Sequence, residues 1–576
     1  MGHKYMVPAI LLVVFLILQT GITPAGAEEQ NSGSNIVITA EKIKEMNANT
    51  TGDVLNRVPG VKAGDTSVSI HGSSKVKVFV NGKPINDPTS SHGGVRWDMV
   101  TLEEIEKIVI LRGKGGVEHG SDAAGGVILI TTRKIKQIKG HIKTQGGKND
   151  AFNTKANASM AHGKLGVGVS GEYNTFDGYK TNNDKETGRL GTRLEYSPEK
   201  NKEFIFSADY MRDKRGLSGL PAFPTPYSRK ETTLSLFSFL ATMDKFKGKT
   251  YLNQGKKHNT DTSKHLDKTI KVKKFGQDFS YSHAFDALNG LNMGGGYEWG
   301  EATSTSFSTQ EESSWSVFSS WEKGFKSVPV TLTLGVRGVY YSAFDRAVNP
   351  EIKLDYKKKN WQVSAAYNRA NNTPSFYHRY NETATTIANP DLEMETADNY
   401  ELGLSMSITP ALSAHLTLFY NSLKDRITYV RDNNGIGQYL NIGQVTYKGG
   451  DVGMNWALTD TVNITSAYTY LLAKNDQTGL RLTAKPKHKF NCYLNFKPTD
   501  KLSLDLNLFH TAKVYTNTKN TKTVPAYLRG DVRAEYFFDT FSVFSKIENI
   551  ADKRYYYSDG MLAPGRNWLV GIHYHF

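Results

Sequence analysis

From residue 134 to the last residue, apolar and polar side chains alternate with a period of two. Leu165, Val167 and Val169 alternate with glycine and serine, and the pattern returns in segments 332–337, 402–408 and 502–508. This is the period of a β-strand with one apolar face. The other face is rich in Gly, Ser, Thr and Asn. The pattern predicts many strands, and no helical periodicity interrupts it.

The last segment separates a membrane barrel from a soluble β-sandwich. Trp568, Val570, Ile572, Tyr574 and Phe576 share one face, and the chain ends on the aromatic residue. A soluble edge strand with this face would be an aggregation hazard, whereas a closed barrel in lipid requires an apolar outer face. Because the alternation persists over 443 residues (576 minus 133), we predict a transmembrane β-barrel in residues 134–576.

Residues 41–133 follow a different pattern. Val76–Val80 alternates into Asn81-Gly82, a strong hairpin signal. Thr101–Glu104 is a capping box that opens a short helix, followed by a strand at 108–111. Val127–Thr132 is an unbroken apolar strand that requires cover on both faces. These features predict a compact α+β domain before the barrel.

The first 27 residues have the features of an export signal. A basic start precedes the apolar run Val7–Leu18, and Ala25-Gly26-Ala27 forms a cleavage site before Glu28. The alternative is a membrane anchor, but the run falls well short of the ~20 residues that a spanning helix needs. We predict a signal peptide at 1–27 and a mature chain that starts at Glu28.

Composition removes several function classes. The single cysteine, Cys492, excludes a disulfide framework and Cys-cluster metal sites. The net charge of +15 comes with no nucleic-acid-binding motif, and no catalytic constellation stands out, so we predict no enzyme. A lysine-rich stretch spans Lys256–Lys274. It suits either an anionic ferric chelate or anionic lipopolysaccharide, and we favour lipopolysaccharide.

Several motifs occur together in a fixed order. They are Asp53–Val61, Val80–Ile85, Glu104–Ile108, Leu111–Gly113 and Gly120–Ile128 before the barrel, then Asn389–Glu393, Asn399–Gly403, Glu548–Tyr555 and Pro564–Arg566 within it. In this order the chain resembles the TonB-dependent outer-membrane receptors along nearly its whole mature length. The resemblance implies an all-β transmembrane β-barrel of about 22 antiparallel strands with an N-terminal α+β plug domain inside it. At ~10 residues a strand, the connections must be modest.

The resemblance also implies a function. Such a receptor takes up a scarce metal chelate into the periplasm, and a ferric siderophore is the first expectation. The alternatives are cobalamin or haem, or, in another class, a passive diffusion porin, which should lack the plug. No cofactor is expected to be bound permanently. The implied partners are the inner-membrane TonB complex, outer-membrane lipid and lipopolysaccharide, and the implied location is the outer membrane of a Gram-negative bacterium.

The TonB complex grips a short segment near the mature N-terminus in this family. Ile36, Val37, Ile38, Thr39 and Ala40 look like that TonB box, within a periplasmic segment at 28–40. An extended β-branched run of this kind can add a strand to a partner's sheet edge. The alternative is a first plug strand that is docked permanently.

The resemblance implies a latch between plug and barrel wall. Arg112 would pair with Glu401 and Asp451 of the barrel motifs. A carboxylate inside a barrel is costly unless it is paired or hydrated. His71 stands where the family often has arginine, so the latch would be weaker or pH-dependent. The alternative is a set of solvated interior charges.

Candidate ligand contacts come from two segments. In the plug, His92, Arg96 and Trp97 fall where the family presents an apical loop, so that Arg96 could meet an anion and Trp97 stack on a ring. Alternatively, Trp97 is buried in the plug core. In the barrel, Tyr377, His378 and Tyr380 precede the Asn389–Glu393 motif, where haem receptors carry a ligand histidine. A lone loop histidine is more often solvated.

Overall fold

The computed structural model describes residues 35–113, 115–432, 434–558 and 560–576. The predicted signal peptide and residues 28–34 of the predicted periplasmic segment lie outside the described residues. The described chain forms a closed 22-stranded antiparallel barrel with a small α+β domain inside it, which confirms the predicted fold class. No helix in the described ranges is long and apolar enough to cross a bilayer.

The plug is built on a five-stranded sheet. In spatial order its strands are Asn35–Thr39, Ile105–Arg112, Gly126–Thr132, Val76–Val80 and Lys83–Pro84. Only Gly126–Thr132 and Val76–Val80 run parallel. Val61–Gly64 and Ser67–Ile70 form a separate hairpin. The α-helices are Ala40–Glu45, Thr51–Asn56 and Gly116–His119, and the 3-10 helices are Trp97–Met99 and Leu102–Glu104.

The local plug predictions are confirmed with small shifts. Asn81 and Gly82 have φ values of 47° and 80°, as a type I′ hairpin turn requires. The Thr101 capping box is present, but it opens a 3-10 helix of three residues, and the next strand begins at Ile105. The plug sheet already includes Asn35–Thr39, so the plug begins before the predicted boundary at residue 41.

Apolar side chains fill the plug core. Ten residues of this core have no exposed surface: Val54, Leu55, Ile70, Val78, Ile85, Val95, Ile105, Ile108, Ile110 and Ile128. Burying each such side chain stabilises the fold by roughly 1.5–3 kcal/mol. The plug therefore has a core of its own and does not depend on the barrel alone for its shape.

Consecutive strands pair antiparallel around the barrel, and the last pairs with the first through Tyr574 and Ile142. The strands are Lys139–Gly147, Ala151–His162, Leu165–Phe176, Lys185–Glu199, Lys202–Gly216, Ser228–Met243, Phe246–Asp261, Leu266–Ala284, Asn289–Ser304, Phe307–Gly324, Val330–Tyr341, Ala347–Lys358, Trp361–Asn372, Glu395–Thr409, Leu412–Arg431, Gly437–Ala457, Val462–Asn475, His488–Thr499, Leu502–Thr511, Tyr527–Phe537, Phe541–Glu548 and Asn567–His575.

The two ends of the barrel differ. At the near end, where the plug leads into Lys139 and where Phe576 lies, the turns are short, as at 163–164, 200–201 and 500–501. At the far end the connections are longer, the longest being 373–394, which contains the helix Phe376–Tyr380. Short turns at one end and longer loops at the other are typical of outer-membrane barrels. The loops are modest, as predicted.

Apolar side chains point outward from the barrel and polar side chains point inward. Leu165, Leu402 and Trp568 are 57%, 48% and 51% exposed. On the inner face, Asp213 and Ser503 are completely buried against the plug. The predicted assignment of strand faces is confirmed, and the plug packs against this inner face.

Candidate functional site

A tight turn of the plug reaches the far end. Asp87 builds it: its Oδ1 accepts hydrogen bonds from the backbone N–H of Thr89 (2.9 Å) and from Thr89 Oγ1 (2.6 Å), and its own N–H donates to Gly94 O (2.8 Å). Gly93 has φ of 72°, which favours glycine. The turn presents His92 as an exposed side chain.

The far-end loop 373–394 folds into the barrel toward this turn. Ser375 caps the helix Phe376–Tyr380, because its Oγ accepts from the N–H of His378 (3.3 Å). Phe376 packs in a buried apolar cluster with Ile270, Val272 and Ala302 of the barrel wall. The plug also holds the loop, since Asp122 accepts from the backbone N–H of Thr373 (2.8 Å). The helix therefore has a fixed position above the plug.

The plug turn and the loop helix meet in an aromatic cluster. It consists of His92, Tyr377, His378, Tyr429 and Tyr439, and we call it the apical cluster. The rings of His92 and His378 lie edge to face with centroids 5.9 Å apart, and His378 lies 4.7 Å from Tyr439. Tyr439 contacts Tyr429 at 5.0 Å and Tyr377 at 6.5 Å. These spacings are those of interacting aromatic pairs.

Both histidines of the apical cluster are neutral at neutral pH. Burial, reinforced by Lys75 and His92, lowers the pKa of His378 to about 3. Partial desolvation, together with Lys75 and Lys257, lowers the pKa of His92, although part of its side chain stays exposed. The N–H of Ser375 donates to His378 Nδ1 (3.4 Å), which leaves the proton of the neutral ring on Nε2. The cluster is thus an aromatic surface with hydroxyl and N–H donors.

Two lysines lie close to this aromatic surface. Lys257 Nζ donates to the plug-turn carbonyl of Thr89 (2.7 Å). The charge of Lys75 acts on both histidines of the cluster, and the charge of Lys257 acts on His92. Cations held close together in this way form a site that favours an anion.

A cavity of about 180 Å³ lies beneath the loop helix Phe376–Tyr380. Its acidic side chains already have partners: Glu298 accepts from Tyr251 OH (2.6 Å) and Lys274 Nζ (3.3 Å), and Glu312 accepts from Arg379 Nη1 (2.5 Å). In the part of the chain that the structure describes, no group of three or more His, Cys, Asp or Glu side chains could hold a metal ion.

The other predicted ligand contacts, Arg96, Trp97 and Tyr380, pack against neighbouring side chains and backbone. Arg96 is buried between Asp98 (2.7 Å) and the barrel residue Asp213 (3.4 Å). Trp97 is 7% exposed and its Nε1 donates to Gly64 O (3.1 Å). Tyr380 packs against Phe307 and Phe376 and supports the loop helix. All three were predicted to contact the ligand, whereas the structure buries Arg96 between plug and barrel wall, buries Trp97 in the plug and places Tyr380 behind the cluster.

Tyr429 and Tyr439 were not predicted as site residues. They are direct cross-strand partners on the two strands that flank the far-end turn 432–436. A signal for them exists in the sequence, because two tyrosines lie at similar distances from one turn and hence at the same height in a hairpin. Only the position of loop 373–394, which no local pattern contains, shows that this hairpin joins the apical cluster.

The predicted TonB box lies in the plug sheet. Ile36 to Thr39 form an edge strand antiparallel to Ile105–Arg112, with Ile36 and Ile38 buried, and Ala40 begins the next helix. This arrangement is the alternative considered above, a docked first plug strand. Engagement of this segment by a partner sheet stays a prediction, and it would require the strand to leave its neighbour.

Three of the four predicted latch residues meet in a buried cluster. His71 Nε2 lies 2.6 Å from Asp451 Oδ2, and Arg112 Nη1 lies 3.6 Å from the same oxygen. The His71 ring stacks on Phe419 with centroids 3.8 Å apart. Arg112 Nη2 also donates to Thr417 Oγ1 (2.6 Å). Asp451 is fully buried, so the carboxylate depends on these plug partners for compensation.

The fourth latch residue, Glu401, faces the interior but does not join this cluster. Both of its carboxylate oxygens are buried without a hydrogen-bond partner among the described residues.

Gly60 explains how closely the cluster of His71, Arg112 and Asp451 packs. It has φ of 75°, and a Cβ there would collide with the His71 ring and the Asp451 carboxylate. Only glycine fits this position.

Comparison with known families agrees with this architecture. Residues 138–550 match the family "TonB dependent receptor-like, beta-barrel", and residues 27–127 match the "TonB-dependent Receptor Plug Domain". Among curated relatives, the "Vitamin B12 transporter BtuB" of Photobacterium profundum is 23% identical over 94% of this chain and 92% of its own length. The "Iron-regulated outer membrane virulence protein" of Vibrio cholerae is 25% identical over 96% and 94%.

Solved structures share the fold. A mutant form of the ferric enterobactin receptor PfeA of Pseudomonas aeruginosa superposes with a TM-score of 0.80 at 17% identity, covering 95% of this chain and 99% of that chain. The siderophore receptor PirA of Acinetobacter baumannii gives 0.78 at 18% identity, covering 97% and 100%. The family match spans most of the barrel and the plug, and the chain therefore belongs to the TonB-dependent receptors of the outer membrane.

Proposed function

We propose that this receptor is an active transporter that captures an anionic ferric chelate, of the siderophore class, at its far end and passes it to the periplasm. The apical cluster with its two neighbouring lysines is the observation that carries the proposal. Aromatic rings suit the apolar and aromatic faces of a chelate, and lysines suit its negative charge. Cobalamin, the cargo named for one of the relatives, carries a single phosphodiester group and offers the lysines less negative charge than a multiply anionic chelate.

The proposal includes energy from the inner-membrane TonB complex, acting on Ile36 to Ala40. The far end then faces the medium and the near end the periplasm, after removal of the signal peptide in a Gram-negative cell. Outward-facing residues support contact with outer-membrane lipid. Phe237, Leu252, Phe275 and Trp299 form one cross-strand row, and Lys256 and Lys271 pair just beyond it toward the far end. Aromatic residues suit the lipid interface, and lysines suit lipopolysaccharide phosphates.

Ligand binding to purified receptor tests the capture site. The panel is ferric enterobactin, haem and cyanocobalamin. We expect ferric enterobactin or another anionic ferric chelate to bind, and Tyr439→Ala to weaken binding roughly three- to tenfold. Tyr340→Ala is the matched control, because Tyr340 is 64% exposed on the outer face. Binding of cyanocobalamin alone would contradict the proposed cargo.

Whole-cell uptake tests the energy coupling. Val37→Pro prevents the segment from adding a strand to a partner, because proline removes a backbone donor. We expect surface binding to be retained and uptake to be lost, with Val37→Thr as control. Unchanged uptake in Val37→Pro would overturn the TonB-box assignment and favour passive diffusion.

A further inference from the structure

A large cavity separates the plug from the barrel wall at the near end. Its volume is about 740 Å³, within the ~300–1,000 Å³ typical of small-molecule sites. The plug contributes the helix Ala40–Glu45 and the 3-10 helix Leu102–Glu104, and the wall contributes the first and last barrel strands. Nothing in the capture site or the latch uses this space.

The cavity is strongly cationic. Eleven of the described residues that line it are Lys or Arg, and five are Asp or Glu. Some are neutralised in pairs, as Lys83 is by Asp209. Lys134 and Arg193 pair with Glu203 and Glu195, which lie outside the lining, so an excess of four positive charges remains before any histidine is counted. A cleft with one dominant sign of charge concentrates ligands of the opposite sign.

Part of this charge lies on the barrel wall in an arrangement that destabilises the sheet. His573, Lys143 and Lys155 are direct cross-strand partners on three adjacent strands and face inward as one row. Like charges that stand opposite each other destabilise a sheet. Glu172 compensates Lys155 at 3.4 Å. Lys143 is 6% exposed, and its ammonium lies over the face of Phe544, 5.3 Å from the ring centroid.

One plug carboxylate faces this row. Glu103 Oε2 lies 3.8 Å from His141 Nε2, and the His141 and His573 rings lie 5.6 Å apart. Glu103 Oε2 and the Nε2 atoms of both histidines are buried without a hydrogen-bond partner among the described residues. Although burial alone would raise it, Lys143 and His141 hold the pKa of Glu103 well below its ordinary value. The carboxylate is therefore an anion held by charge rather than by fitted hydrogen bonds.

We propose that Lys143, His141 and His573 form a second anion site, the near-end anion site, which receives the negatively charged groups of the cargo on its way to the periplasm. Glu103 occupies this site in the resting receptor as a built-in counter-ion. When the plug shifts, Glu103 leaves with its short helix, and the Lys143 ammonium and the N–H groups of His141 and His573 bind the carboxylate or catecholate oxygens of the chelate instead. This inference rests on the proposed function and names the groups that bind the cargo at the near end, where it leaves the barrel.

Anion binding to purified, detergent-solubilised receptor tests the site without transport. The probe is citrate, a small tricarboxylate, measured by titration calorimetry. In the wild type Glu103 competes with citrate, so we expect Glu103→Gln to bind citrate at least about tenfold more tightly. Glu103→Ser is the second variant, and thermal unfolding checks that each protein is folded.

A double variant locates the gain in affinity. Lys143→Gln in the Glu103→Gln background is expected to abolish it, whereas Lys200→Gln, in the exposed near-end turn 200–201, is expected to preserve it. Equal citrate affinity in the wild type and both Glu103 variants would overturn the site. So would a gain that survives Lys143→Gln.

Uptake of ferric enterobactin connects the site to transport. We expect Lys143→Gln to keep surface binding and to slow uptake about tenfold, and Lys143→Arg to restore it. Uptake at the wild-type rate in Lys143→Gln would show that the site has no role in the passage of the chelate into the periplasm. If the wild type takes up no anionic chelate, the proposed function fails, and the citrate titration still decides whether the anion site exists.

Discussion

The plug touches the barrel wall through two very different surfaces. On the charged seam, Lys83 and Glu104 of the plug face Asp209 and Arg189 of the wall. On the buried seam, His71 and Arg112 converge on Asp451, and His71 stacks on Phe419. Both seams bring opposite charges together, but their surroundings differ.

Water access distinguishes the two seams. Lys83, Glu104, Arg189 and Asp209 border the near-end cavity. Asp451, by contrast, has no exposed surface and a ring stacked beside its partner. Charges beside water interact through a higher effective dielectric than charges in a dry contact. The buried seam should therefore resist separation, and the charged seam should give way first.

The largest expected effect is that of Asp451→Asn. The substitution leaves His71 and Arg112 without their carboxylate in a dry contact, which should cost about 3–5 kcal/mol of plug stability. Calorimetric unfolding in detergent measures this loss, and single-barrel conductance in planar bilayers detects a loosened plug. Asp500→Asn, in the exposed near-end turn 500–501, is the control. A stability equal to the wild type would show that the buried seam does not hold the plug.

A smaller and salt-dependent effect is expected for Asp209→Asn. Asp209 serves both Lys83 and Arg189, but cavity water can replace part of what is lost, so we expect about 1.5–3 kcal/mol. The loss should shrink in 1 M salt, where the Debye length falls to ~3 Å, whereas that of Asp451→Asn should not. Unfolding at low and high salt measures both. The same salt response for the two variants would contradict the contrast between the seams.

The burial of His378 in the docked loop gives a pH-dependent effect, which between pH 7 and 5.5 is the smallest of the three. The pKa of His378 in the folded receptor, about 3, lies below the ordinary ~6.5, so protonation favours the undocked loop. The stabilisation of the docked loop by neutral His378 is complete above pH 6.5. It is lost as the pH falls toward 3, by up to ~1.4 kcal/mol per pH unit.

Hydrogen exchange in the helix Phe376–Tyr380 measures this dependence. Between pH 7 and 5.5 we expect the intrinsic-rate-corrected exchange to rise about tenfold. His378→Gln should make the corrected exchange independent of pH in this range. A corrected exchange rate that stays constant in the wild type would show that the histidine contact does not hold the loop.

Much of the fold could be predicted from the sequence because lipid and water impose a period of two on every barrel strand. The outward face of Trp568 and the hairpin at Asn81-Gly82 follow from local rules alone. The site depends on contacts between distant parts of the chain. Arg96 meets Asp213 across 117 residues, and alternation says only that Asp213 faces inward, not how the plug is rotated within the barrel.

The predicted ligand contacts illustrate the same limit. A turn rich in glycine can be identified from sequence, and His92 does reach the far end. Its neighbours Arg96 and Trp97 turn back into the plug because Asp98 and the carbonyl of Gly64 satisfy them there. Tyr429 and Tyr439 join the site only because loop 373–394 folds inward, which the anchoring of Phe376 in the wall determines.

The direction of the edge strand Asn35–Thr39 has a mechanical consequence. Asn35 pairs with Leu111 deep in the plug, and Thr39 pairs with Lys107 nearer the near end. A pull on Asn35 toward the near end would load the strand in a peeling geometry, in which its hydrogen bonds break one after another rather than all at once. Peeling needs much less force than shearing, so a weak motor could start to dismantle the plug sheet while the apolar core remains intact.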